Sequence, residues 1–248
     1  MILLIKIAFR NIFRQRRRSL LTALTMVGGF TLTAVSIGWS DGTYSAVINM
    51  FTRNRLGHIQ IHGNGYLDKP SIHNTIDKVN KTAETIRSVK GVEALTPRLF
   101  GGGIGSLAEK STAIKIIGID PALENRATRF NRKIVKGSSL SSRPAKEVVL
   151  GTGLADILEA EPGKDSVIVL SQAADGSMAN ELYSVKGVLD SGDPARDRTA
   201  VYCHLKEAQN FFVLENRVHE IAVIVERLER VDEAVAAMKK KIDDPWLS

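Results

Sequence analysis

Residues 19–40 read SLLTALTMVGGFTLTAVSIGWS, and none of these 22 residues is charged. At 1.5 Å per residue a helix of that length extends about 33 Å, close to the roughly 30 Å of a bilayer's hydrocarbon core. The stretch predicts a transmembrane helix, so whatever follows it is a membrane-held domain. A cleavable signal peptide is the competing reading. Its apolar core runs to about 7–15 residues, and Ala34-Val35-Ser36 is the nearest approach to a cleavage site. The span is therefore read as an uncleaved anchor. Thr22, Thr25, Thr31, Thr33, Ala34 and Ser36 accompany Gly28, Gly29 and Gly38 within it. Small residues let helices approach closely and hydroxyls can bond between helices, which makes Gly28, Gly29 and Gly38 candidate helix-packing positions.

Upstream, residues 2–18 read ILLIKIAFRNIFRQRRR. Ile2, Ile5, Phe9, Ile12 and Phe13 recur at helical spacing, while Lys6, Arg10, Arg14 and Arg18 fall four apart on another face. Such a basic amphipathic helix lies in the headgroup region with its cations on anionic lipid. Arg10, Arg14, Arg16, Arg17 and Arg18 are the candidate lipid headgroup contacts. Arginines precede the span and Asp41 follows it, so the positive-inside rule puts residues 1–18 in the cytoplasm and those after Asp41 outside.

The same helix locates the charge. The chain is +7, and six of its 34 Lys and Arg lie in residues 1–18 with no acid among them. That leaves 28 cations against 27 acids in the body. No basic stripe interleaved with aromatics occurs there, which argues against nucleic-acid binding. The one cysteine, Cys203, follows Ala200, Val201 and Tyr202 and reads as a buried small hydrophobe.

Past residue 41 the periodicity predicts an α+β domain. Residues 56–62 alternate, with Ile59 and Ile61 on one face, as a half-buried strand does. A helix is expected over 75–90 with Ile76, Val79, Ala83 and Ile86 on its stripe, then strands over 92–98 and 112–119. Short strands at 147–150, 166–170, 182–190 and 199–203 and a helix at 152–159 make the middle β-rich. Helix 204–214, strand 219–225 and helix 228–242 close the chain. The expected domain has a core from 41–120 and 204–248, with 121–203 as a β-rich inserted subdomain.

Chemical motifs are sparse. Gly163-Lys164 lacks the rest of a Walker A loop, so ATP is not expected to bind here. Gly101, Gly102, Gly103 and Gly105 do not fit the dinucleotide fingerprint and read as a flexible loop. His58 and His62 on one strand stand about 13 Å apart, too far for a shared metal. No G-x-S-x-G elbow occurs. Asp120, Glu124, Asp190, Asp193, Asp197 and Glu207 read mostly as solvated acids. No catalytic, cofactor or metal residue is assigned.

Several segments together resemble the ABC-transporter permeases of the lipoprotein-releasing and macrolide-exporter group. Ala8-Phe9-Arg10-Asn11 with Arg16-Arg17-Arg18-Ser19-Leu20-Leu21-Thr22 is similar to that family's elbow helix and first span. Gly57 to His62 with Gly65-Tyr66-Leu67 resembles the start of its periplasmic domain. Pro97-Arg98, Gly118-Ile119-Asp120-Pro121 with Glu124, and Glu147-Val148-Val149-Leu150-Gly151 with Gly153-Leu154-Ala155 continue the likeness over nearly the whole chain. The resemblance implies a subunit of the bacterial inner membrane with a cytoplasmic ABC ATPase and a second permease subunit as partners. It also implies a lipoprotein or amphiphilic cargo, and a periplasmic carrier or adaptor. Such permeases continue into three more membrane helices beyond the point where this chain ends, so a fragment, a split permease and a single-span relative are all expected forms. A force-transmitting regulator of a periplasmic partner, and a tethered binding or sensor domain without an ATPase, are the competing functions.

Overall fold

A computed structural model of the chain describes residues 15–51, 57–63 and 65–242. Two units are distinguished, Met1–Met50 and Phe51–Ser248.

The first unit is dominated by one helix, α1 (Arg16–Phe51), of 36 residues. Its Arg16–Ser40 segment is long and apolar enough to cross a membrane, and none of it is buried. Phe30, Leu32 and Met26 stand 77%, 74% and 72% exposed, the condition of side chains that hydrocarbon would cover. The threonines do not reach outward: Thr22, Thr31 and Thr33 each donate to the carbonyl four residues back, and Thr25 donates to that of Thr22. Bonding within the helix satisfies hydroxyls that hydrocarbon cannot. The helix does not end where the span was expected to. It runs past Asp41 because polarity ends a membrane crossing, not a helix, and residues 41–51 contain no proline and one glycine.

The second unit contains β1 (Ile59–His62), α2 (Val79–Arg87), β2 (Val92–Leu107), β3 (Lys110–Ile119), α3 (Pro121–Thr128), β4 (Ile134–Gly137) and β5 (Glu147–Gly151). There follow α4 (Thr152–Leu158), β6 (Ser166–Gln172), β7 (Met178–Leu189), α5 (Pro194–Asp197), β8 (Ala200–His204), α6 (Leu205–Phe211), β9 (Glu220–Val225) and α7 (Val231–Lys241). β2 is the spine. Its first half pairs with β9, which carries β1 on its other side. Its second half pairs with β3 and, at the tip, with β6. From β3 the pairing continues through β8, β5 and β7 to β6. Six strands thus close into a ring, with β4 added to β7.

Two cores follow. One fills the ring with Leu99, Ile116, Leu150, Val167, Val185 and Phe212 among others. The other lies between the β1–β9–β2 strands and helices α2 and α7, with Ile86, Val223 and Met238. The inserted subdomain therefore does not begin at residue 121 and end at 203. Leu99, Ile114 and Ile116 before it and Ala208, Phe212 and Leu214 after it belong to the ring's core, because β2 and β3 run on from one half into the other.

The glycine cluster is also not a loop. Gly101, Gly103 and Gly105 lie inside β2 and turn a bare face to the ring's interior. A Cβ on Gly101 would sit 2.1 Å from the Phe212 ring, and one on Gly103 would sit 2.5 Å from the Leu170 carbonyl oxygen. Glycine in a strand marks such close approach. Gly102 faces outward, where a Cβ meets nothing within 4 Å. Gly101→Val should therefore lower stability by about 2 kcal/mol through overpacking, while Gly102→Val should leave it unchanged or raise it. Thermal unfolding of the full chain in detergent, followed by circular dichroism, checks this; equal losses would show that the glycines are not distinguished by face.

Candidate functional site

A row of ionisable side chains crosses three antiparallel strands. His62 on β1 lies opposite Glu220 on β9, and Glu220 lies opposite Arg98 on β2. Arg98 is also where β2 passes to its other partner, pairing with Ile119 of β3. One residue on, the Asp120 carboxylate caps α3 by accepting from the Ala122 and Leu123 backbone N–H groups. Pro121 starts the helix with no N–H to lose, and the first turn brings Glu124 back to Arg98.

The contacts are dense. Arg98 donates from Nη2 to Glu124 Oε1 at 2.7 Å, from Nε to Glu124 Oε2 at 3.0 Å and from Nη1 to Glu220 Oε1 at 2.9 Å. The Thr96 and Thr128 hydroxyls also donate to Glu124. His62 Nε2 lies 3.8 Å from Glu220 Oε2. Arg98, Glu124 and Glu220 are all buried. Burial alone would push the Glu124 carboxyl up, but the Arg98 guanidinium, with the two threonine hydroxyls, holds it below the usual carboxylate range. Burial pulls Arg98 down in turn, and Glu124 and Glu220 more than reverse that.

An aromatic layer joins this row to a surface cleft. Tyr66 stacks on His62 with ring centroids 5.3 Å apart and planes 9° apart, and its ring lies 5.2 Å from that of His219. Burial, with Glu220 nearby, pushes the Tyr66 hydroxyl up to about 12. His219 accepts from the Phe100 backbone N–H at Nδ1, 3.1 Å, and its Nε2 lies 3.2 Å from the Ile72 carbonyl oxygen. That geometry assigns the single proton to Nε2. Burial, chiefly, pushes this imidazole down to about 4; His62 adds to the depression and the Ile72 carbonyl opposes it. Phe100 and Ile72 then line a cleft of about 810 Å³, together with Tyr66, Gly102, Lys115 and Met178.

Of the residues singled out in the sequence, Arg10 and Arg14 lie outside the described residues. Arg16, Arg17 and Arg18 form the exposed first turn of α1. Gly28, Gly29 and Gly38 face open space, where a Cβ would meet nothing within 4 Å, so no described residue packs against them. Glu124 and Asp197 are not solvated acids: they are 5% and 1% exposed. Asp197 accepts from the Ser191 backbone N–H, and Asp193 caps α5. His62, Tyr66, Arg98 and Glu124 each fall in a segment that carried the family resemblance, and the fold gathers them around one centre. Glu220 and Lys115 had no such signal. Among the described residues no group of His, Cys, Asp and Glu is placed to hold a metal ion.

The family model of the MacB-like periplasmic core domain matches residues 19–241. The chain belongs to this family. Its fold is shared with the periplasmic region of MacB from Actinobacillus actinomycetemcomitans, at a TM-score of 0.57 and 19% identity, over 81% of this chain and 90% of that one. It is also shared with the extracellular domain of the noncanonic ABC-type transporter YknZ from Gram-positive bacteria, at 0.56 and 13%, over 77% and 97%. No curated protein sequence matches. The chain is thus a MacB-like periplasmic domain of the ABC-transporter permease type, carrying an apolar N-terminal helix.

Two outcomes follow for this MacB-like domain. Arg98→Met should cost about 3–5 kcal/mol, because it strands two buried carboxylates; a loss under 1 kcal/mol in chemical denaturation would refute the cluster's role. Acid should act in two stages. His219 is depressed from 6.5 to about 4, so the unfolded chain takes up a proton that the folded one refuses. Its contribution is complete above pH 6.5 and falls by about 3 kcal/mol on the way down to pH 4. The Glu124 contribution is lost only as pH falls below the ordinary carboxylate value of 4.5. Stability measured from pH 8 to 3 should show the upper step in the wild type and not in His219→Asn.

Proposed function

We propose that this chain is a membrane-spanning permease subunit that couples a cytoplasmic ABC ATPase to periplasmic movement or release of a lipoprotein or other amphiphilic cargo. One observation carries the reading. An uncharged stretch, residues 19–40, entered through Arg16, Arg17 and Arg18, leads into a domain of the MacB-like family. A periplasmic domain tied to a membrane crossing has a use where something on the other side supplies work. ATP is bound by a partner subunit in this reading, and this chain contributes no catalytic residue. In this reading the N-terminus is cytoplasmic, the residues after Asp41 are in the periplasm of a bacterial inner-membrane protein, and Arg10, Arg14, Arg16, Arg17 and Arg18 rest on lipid headgroups. Gly28, Gly29 and Gly38 are the helix-packing positions of this reading, with a second permease subunit as the partner. A periplasmic carrier or adaptor receives the cargo.

Two measurements test it. Tagged chain solubilised from its own membranes should bring down an ATPase whose peptides include a Walker A loop, with vanadate-sensitive hydrolysis in the eluate. Recovery of the chain with no such ATPase would favour a tethered binding domain, and a periplasmic hydrolase without cargo would favour a force-transmitting regulator. Orientation is tested by Leu67→Cys, at a side chain 66% exposed, with a membrane-impermeant maleimide. Native Cys203 is buried and its thiol is pushed up to about 12 by burial, then by Glu207, so it should stay silent. Labelling of intact spheroplasts is the expected result; labelling only after lysis reverses the topology.

A further inference from the structure

The outer face of the β2–β3 pair carries the cleft, and nothing in the described fold fills it. Phe100, Gly102 and Ile104 alternate on that face of β2, and Gly102 lies directly opposite Lys115 of β3. With no side chain at Gly102, the floor beside Lys115 is bare. Ile104 pairs with Leu170 of β6 and continues the floor across the ring. Met178, 76% exposed, stands at the far rim. A cleft of about 810 Å³ falls within the roughly 300–1,000 Å³ of small-ligand sites.

Charge is arranged at one end only. Lys115 Nζ sits 4.9 Å from the Phe100 ring centroid, and the Arg196 guanidinium 5.9 Å from that of Tyr202. Neither makes an ion pair among the described residues; Glu220, which faces Lys115, is already bonded to Arg98. Lys115 is held below its ordinary value by burial and then by repulsion from Arg196, with Glu220 opposing. Arg196 does not line the cleft; Lys115 does, held over the Phe100 ring with no ion pair among the described residues, and it leaves a place for an anion. An added strand is not the favoured occupant: β2 is paired with β3 along the cleft and with β6 from Ile104 to Ser106, and in the gap between the β9 and β6 ladders the Phe100 N–H is bonded to His219 and the Gly102 carbonyl accepts from the Ser171 hydroxyl.

We propose that this cleft binds a single-chain fatty-acid anion, its carboxylate on Lys115 and its chain over Gly102, Ile104 and Leu170 toward Met178. A carboxylate matches the one cation that lines the cleft. The inference deepens the amphiphile reading of the cargo and rests on it for the supply of such a molecule.

The test uses the full chain in lipid nanodiscs with photoreactive palmitate, a diazirine near the methyl end, and peptide mapping of the adducts. Expected adducts fall on residues 100–107 and 166–178 and are displaced by plain palmitate. Lys115→Met should cut this labelling about tenfold, the loss of one charge-assisted contact. Gly102→Trp should abolish it and Gly102→Ala should spare it, with unfolding midpoints confirming that each variant is folded. A photoreactive alcohol of equal chain length should label weakly and ignore Lys115→Met. Adducts confined to α1, or adducts in the cleft indifferent to both Lys115→Met and Gly102→Trp, overturn the proposal. Stronger cleft labelling by a lysophosphatidate probe overturns the carboxylate assignment. ATPase recovery from the same preparations separates the two readings: adducts absent with the ATPase present sinks this inference alone, and the converse sinks the permease reading alone.

Discussion

A buried guanidinium holds two halves of this domain in one register. Arg98 occupies the residue at which β2 changes partners, and its three donors are spent on a carboxylate from β9 and another from α3. Burying such a cluster gains little stability relative to apolar packing, but removing one member is costly. Its value here is specification. A one-residue slip of β2 against β9 would turn Arg98 to the opposite face, leaving Glu124 and Glu220 as buried unpaired charges. The register of β9 is fixed in turn by His62, which lies opposite Glu220. One residue type at one position thus sets three strands and the helix that follows the fourth.

The same strand serves two opposite needs. Toward the ring's interior, Gly101, Gly103 and Gly105 withdraw so that Phe212, the Leu170 carbonyl and Ile114 can approach. A side chain there has no space, since interiors are already packed to crystal-like density. Toward the exterior, Gly102 withdraws from nothing, and the space becomes a cleft floor. The inner glycines are explained by packing. The outer one is not, and it is the position at which a ligand explanation has content.

Much of this fold was legible in the sequence because period does not depend on distant contacts. Val79, Ala83 and Ile86 are buried on α2 as their spacing predicts, although the helix is shorter than the expected 75–90 and Ile76 lies before it, in a bridge to Val218, and strands 147–151, 200–204 and 220–225 fall within a residue of their alternating or apolar runs. What failed was whatever another segment decides. The glycine cluster looked like a loop because Phe212 and Leu170, its reasons for being, lie far along the chain. Glu124 looked solvated because its partner Arg98 is 26 residues away and Glu220 farther still. The span's end at residue 40 agrees with the apolar segment of α1, and the helix itself continues to Phe51. The site was half legible: resemblance marked Arg98, Glu124, His62 and Tyr66 separately, but only strand pairing shows that they meet.

The cleft and the ion row are tied through one neutral ring. His219 accepts from Phe100, on the cleft floor, and bonds to the Ile72 carbonyl, on the cleft wall; its other neighbour is Tyr66, which stacks on His62. Losing either imidazole bond would leave an unsatisfied buried group, which costs about 1–3 kcal/mol. The imidazole also keeps one tautomer, because protonating Nδ1 would set a second donor against the Phe100 N–H. The cleft's floor at Phe100 and its wall at Ile72 are thus tied to the same buried polar layer that fixes the register.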